Sequence, residues 1–313
     1  MISHLSRRAL NVSASVALLA GCSAGSQLAP LNTASGPSTV HPNRNASWMD
    51  PGAKKGALLY GANFSTNDVD VYTYPQGKLT GTLTGFNEPS GECVDATGNV
   101  FIANTGTSQI VEYAHGGSTP IATLNDPGQY PVTCSSNPQN GDLAVSNILS
   151  TSGPGSVSIY KKAHGTPKIY SDSNFYRMEF LGYDGNGNLF IDGSNASGLF
   201  QYAELPKGRK TFTDLSLNQS ISFPGSVQYD GKYMAIGDQI GSVIYQTLGA
   251  KVVGMTTLGG ATDVSTFFII GKSLLCPSTC NSDLATYKYP AGGSPIKAVM
   301  LSNGAPGVVV VSN

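Results

Sequence analysis

Charge is scarce in this chain: 12% of its 313 residues are Asp, Glu, Lys or Arg, where soluble proteins average about a quarter. That scarcity excludes a coiled coil or any fold resting on long surface helices. Histidine is nearly absent, with four in the whole sequence, and there is one Trp. The formal charge is −1 and no run of Lys or Arg stands out. A nucleic-acid partner therefore lacks the basic footprint that neutralises phosphates. No apolar stretch reaches the roughly 20 residues of a spanning helix, and P-loop, His-Glu-x-x-His and Cys-x-x-Cys motifs are all missing.

What the sequence has instead is 38 Gly, 18 Pro and 15 Tyr in a composition that is 40% hydrophobic, which reads as an all-β globule rich in turns. An internal repeat sharpens this reading. A short apolar strand ending in Tyr, with Gly a few residues later, occurs at Tyr74, Tyr113, Tyr160, Tyr202, Tyr245 and Tyr289, and these tyrosines lie 39, 47, 42, 43 and 44 residues apart. A four-stranded propeller blade has that period. Pro-led segments, Pro89–Asp95, Pro131–Asn137 and Pro224–Asp230, read as innermost strands, each followed by a tight turn or a second strand. The expected fold is an all-β, six-bladed β-propeller over residues 56–313. Its first blade lacks an inner strand until Gly307–Val311 supplies one from the other end of the chain, closing the ring and removing an open sheet edge.

Residues 1–21 place Arg7 and Arg8 ahead of an apolar stretch that ends in Leu19-Ala20-Gly21-Cys22, in the order of an export signal. This resembles the lipobox of bacterial lipoproteins. The resemblance implies cleavage before Cys22, acylation of Cys22, and a lipid anchor in the cell envelope, with the outer membrane favoured because Ser23 rather than Asp follows. Removing residues 1–21 moves the formal charge from −1 to −3, so net charge offers no attraction to an anionic surface. Residues 22–55 are rich in Ser, Ala, Pro, Asn and Gly without an apolar period and read as a flexible tether that carries Trp48.

Asp95-x-x-Gly98-Asn99-Val100-Phe101-Ile102-Ala103-Asn104-Thr105-Gly106 followed by Ile110-Val111-Glu112-Tyr113 resembles an NHL repeat, as found in six-bladed propellers and in the related SMP-30-like gluconolactonases. The likeness speaks for the fold more than for the chemistry, since one fold hosts many functions. In the lactonases a divalent cation sits at one channel mouth among Glu, Asn and Asp side chains; the resemblance would give such roles to Glu92, Asn104, Asn147 and Asp238, with Gly193 standing where another polar ligand is wanted.

The loops leaving the second strands converge at that mouth, where Asn104, Asn147, Asp192 and Asp238 are the candidate ligand-binding residues. They are two amides and two carboxylates, with no His, Lys or Arg beside them. This favours recognition over proton transfer, and their position at strand ends suggests that replacing them spares the fold. The expected function is non-enzymatic binding of a protein, peptide or glycan, without metal or cofactor; the alternative is a metal-dependent lactonase or related hydrolase. Beyond Cys22 the cysteines are Cys93, Cys134, Cys276 and Cys280, and an even count in an exported domain points to disulfides. Cys93–Cys134 would join adjacent inner strands and Cys276–Cys280 would close a short loop. Asp184, Asn186 and Asn188 alternate as in a calcium loop, but Leu189 stands where that loop needs Gly, so a hairpin turn is expected there.

Overall fold

A computed structural model describes residues 46–278 and 283–313; Cys22, Cys280 and the proposed signal segment lie outside the described residues. The strands assemble into six sheets, one per blade, each running antiparallel from an inner strand at the ring's centre to an outer strand at its rim. Blade 1 combines the C-terminal strand Val308–Ser312 with Leu58–Asn63, Asp68–Thr73 and Leu79–Leu83. Blade 2 is Pro89–Val94, Val100–Asn104, Gln109–Tyr113 and Pro120–Asn125, and blade 3 is Gln129–Ser136, Leu143–Ser150, Gly153–Tyr160 and Lys168–Tyr170. Blade 4 is Arg177–Tyr183, Leu189–Ser194, Phe200–Leu205 and Thr213–Asp214. Blade 5 is Val227–Tyr229, Met234–Gly237, Val243–Leu248 and Lys251–Thr257, and blade 6 is Phe268–Ile270, Ser273–Ser278, Asp283–Lys288 and Gly292–Met300.

The ring closes as the sequence predicts. Val308–Ser312 runs antiparallel to Leu58–Asn63 with Leu58 opposite Ser312 and Ala62 opposite Val308. Val309, Val310 and Val311 are buried on alternating faces of the blade. Ser312 Oγ donates to the Gly98 carbonyl at 2.6 Å, tying the last strand to the next blade.

Apolar side chains at alternate positions of the second and third strands fill the layers between blades. Tyr113 and Tyr160 end their third strands opposite the first residues of the second strands, whereas Tyr202 and Tyr245 lie within theirs, opposite Asp192 and Ile236, and Tyr289 follows its strand, so the repeat keeps its period but not one register; all five rings are buried. Tight turns close the inner hairpins. Asp95 Oδ1 accepts from the Thr97 and Asn99 N–H groups, and Asp184 Oδ1 accepts from those of Asn186 and Asn188 in the same arrangement. Gly98 and Gly187 take φ of +88° and +83° there, a conformation that glycine adopts without strain. The segment 184–188 is thus the hairpin turn expected of it.

Two expectations need correction. The tether does not extend to residue 55, because Trp48–Met49 pairs with Leu79–Leu83 as a fifth, outermost strand of blade 1 and Ala53 is buried in the core. The Asp50 N–H continues the ladder to the Thr80 carbonyl at 2.7 Å, and backbone pairing of this kind leaves no composition signal. The second correction concerns sulfur. Cys93 and Cys134 form the expected disulfide with Cα atoms 5.5 Å apart, whereas Cys276 is a free, buried thiol against the expected bridge to Cys280. Its side chain packs among Leu274, Ala285 and Tyr287, and burial pushes that thiol up to about 12.

Candidate binding face

Antiparallel order gives the ring two unlike faces. Loops from second to third strands and loops from each outer strand to the next inner strand emerge on one, the loop face; the hairpin turns within each blade's first and second pairs, and within its third and fourth, emerge on the other, the turn face. The four candidate residues all sit at the loop-face ends of second strands, and all four are buried. They do not converge on an open mouth.

Most of their polar atoms bond the chain itself, although Asn147 Oδ1 is buried without a hydrogen-bond partner. Asn104 Oδ1 accepts the Asn87 N–H at 2.7 Å, fixing the loop that enters blade 2. Asn147 donates through Nδ2 to Ser156 Oγ at 3.1 Å and Ser158 Oγ at 3.0 Å, and Ser158 Oγ donates in turn to Asp126. Asp192 accepts the Phe180 and Gly225 N–H groups, both at 3.1 Å; burial, then the neighbouring Glu179 charge, raises its carboxyl well above the usual range. Asp238 accepts three, from Ser222 at 2.9 Å and from Phe223 and Ile240 at 3.1 Å. In this structure the four candidates are buried and bonded to their own loops. A short acceptor at a strand end within reach of unpaired loop N–H groups is drawn inward to satisfy them.

Glu92, the other residue given a lactonase role by resemblance, lies on the inner strand of blade 2 with neither carboxyl oxygen hydrogen-bonded. Burial raises its carboxyl well above the ordinary Glu value. No group of three or more His, Cys, Asp or Glu among the described residues is placed to hold a metal ion.

What the Asx side chains support, the buried Asp238 and the half-buried Asn63 and Asn195, is exposed. Asp238 fixes the backbone of Phe223 and Ile240, which are 43% and 64% exposed. Asn63 accepts the Ser65 and Thr66 N–H groups and shapes the loop that carries Phe64, 42% exposed. Asn195 does the same for Leu199 through N–H bonds from Ser197 and Leu199, and the Tyr176 N–H is held by the Ser194 carbonyl at 2.8 Å. Phe64, Tyr130, Tyr176 and Phe223 thus stand on the loop face of blades 1, 3, 4 and 5, with Leu199 and Ile240 among them. Sequence reasoning missed them because a solvent-facing aromatic in a loop has no periodicity; an aromatic next to an Asx turn was the available signal.

Comparison with known proteins agrees on the fold and goes no further. No family model matches the chain, and no curated protein matches it. Among solved structures it is similar to a chain of a nidogen/laminin complex, with a TM-score of 0.69 and 10% identity over 82% of this chain and 99% of that one. The molecule is a six-bladed β-propeller.

Proposed function

We propose that this chain is an envelope lipoprotein, anchored through an acylated Cys22, whose NHL-like propeller binds a protein or peptide on its loop face without catalysing a reaction. The observation that carries the proposal is the set of exposed aromatics Phe64, Tyr130, Tyr176 and Phe223 on the loop face, of which Phe223 is held by the buried Asp238, the Phe64 loop by the half-buried Asn63 and Tyr176 by the Ser194 carbonyl. Rigidly held aromatics contribute large contact area at little entropic cost and are enriched at binding hot spots, while scattered single apolar residues would call for no explanation. The similar propeller in the nidogen/laminin complex was solved in a protein assembly, which supports a protein ligand for the fold.

The test uses the triple variant Phe64→Ala, Tyr176→Ala and Phe223→Ala, first checked by mass spectrometry for an acylated N-terminal Cys22. A partner cross-linked to the wild type in the envelope should be lost from the variant, with a weakening of tenfold or more, while thermal unfolding stays within a few degrees of wild type. A partner retained at full strength refutes the loop face. Lactone hydrolysis that requires a divalent metal would establish the alternative, enzymatic reading.

A further inference from the structure

The formal charge of −1 conceals a segregation that only the topology makes visible. Fifteen Lys and Arg fall among the described residues, and Arg177 alone lies on the loop face. The other fourteen lie on or reach the turn face. Lys161, Lys162 and Lys168 flank the outer turn of blade 3, and Lys207, Arg209 and Lys210 fill that of blade 4. Blades 5 and 6 add Lys232, Lys251, Lys272 and Lys288 at their turns, and Lys297 reaches the Pro75 carbonyl in the outer turn of blade 1. Lys78 and the pair Lys54 and Lys55 complete the set, with Lys54 against Gly116 in the outer turn of blade 2. All of these basic side chains are exposed.

The turn face also holds seven carboxylates, half the number of its cations, and Asp95, Asp142, Asp184 and Asp230 among them accept backbone N–H groups inside turns. The loop face carries the opposite balance. Asp68, Glu88, Asp172, Asp214 and Asp263 are exposed or half-buried there, above the buried Asp126, Asp192 and Asp238. The ring is therefore a charge dipole directed along its axis, positive on the turn face.

We propose that the turn face docks on an anionic lipid bilayer, so that the loop face points away from the membrane. Two observations favour a bilayer over an acidic protein or a polyanion. The charge is spread around the ring and not gathered into a groove. It is almost all lysine, a hydrated point charge suited to diffuse attraction, in contrast to the bidentate fork that arginine offers one phosphate or carboxylate. The inference depends on neither the acyl group nor the loop-face ligand.

The test uses the full chain carrying Cys22→Ser, which cannot be acylated, with vesicles in which roughly one lipid in three is phosphatidylglycerol, against pure phosphatidylcholine vesicles. Co-sedimentation is expected with the anionic vesicles and not with the neutral ones, falling more than tenfold as salt rises from about 0.05 M to about 0.5 M. Reversing Lys161, Lys168, Lys207 and Lys210 to Glu should abolish it, and so should an independent set on the other side of the ring, Lys232→Glu, Lys251→Glu and Lys272→Glu. Equal binding to both vesicle types, or binding that survives both charge-reversed sets, overturns the proposal. Retention on a soluble polyanion such as heparin without any on the vesicles overturns it in favour of a polyanion ligand.

Discussion

At the scale of single residues, the Asx side chains at the second-strand ends are structural clamps, and their worth can be measured. Asp238 satisfies three backbone N–H groups at once. Asp238→Ala should cost about 1–3 kcal/mol, because three part-buried backbone N–H groups lose their side-chain acceptor, whereas Asp238→Asn should lose less by keeping one acceptor oxygen. Thermal or urea unfolding checks the order, and an alanine variant as stable as wild type would return Asp238 to the list of ligand contacts. The positions of these residues were legible in the sequence; their partners were not. The donors belong to Asn87, Phe180, Ser222, Phe223, Gly225 and Ile240, and every non-proline residue carries the same N–H, so no residue type marks them. Cys276 shows the same gap, since its neighbours in the core come from strand pairing that spacing to Cys280 does not reveal.

At the scale of elements, the seam between blades 1 and 2 carries a pH dependence. Glu92 projects from its inner strand into a buried site where neither oxygen is hydrogen-bonded, and burial raises its carboxyl well above 4.5. The unfolded chain gives up this proton near the ordinary Glu value while the folded one keeps it, so the unfolded state binds fewer protons and stability falls as pH rises. The loss begins near pH 4.5 and continues upward until folded Glu92 ionises, at up to about 1.4 kcal/mol per pH unit. Glu92→Gln should remove that part of the slope, leaving the contributions of Asp192, whose carboxyl burial also raises well above its usual value, and of Glu112, Asp126, Glu179 and Glu204, which burial shifts in the same direction. Urea unfolding between pH 4.5 and 8 reads it, and identical slopes in the two proteins would show that Glu92 is stabilised by a partner. The inner hairpins of blades 2 and 3 were legible from Pro starts and turn residues, and the third strands from their tyrosine period. The outer strands, the inner strands Arg177–Tyr183 and Phe268–Ile270, which lack a leading Pro, and Trp48–Met49, too short to show any alternation, were not.

At the scale of the whole molecule, the spacing of six tyrosines was enough to count the blades, and an unmatched final strand was enough to foresee how the ring shuts. Deleting residues 305–313 uncovers the edge of Leu58–Asn63 and removes the buried Val309, Val310 and Val311. At about 2 kcal/mol per buried valine that costs on the order of 5 kcal/mol or more, and the truncated chain should melt far lower and associate through its open edge; unchanged melting and a monomer by size exclusion would refute the closure. The division of charge between faces escaped the sequence reading because a net charge is a sum and carries no direction until the strand order assigns each turn to a side. The fifth strand of blade 1 also bears on mechanics. A pull on the chain ahead of Ser47 reaches Trp48–Met49 first, at the rim and held by one neighbouring strand, then the buried Ala53, and only afterwards Leu58–Asn63, which is hydrogen-bonded on both sides. Under such a load the short outer strand is expected to yield before the ring-closing pair of Leu58–Asn63 and Val308–Ser312 does.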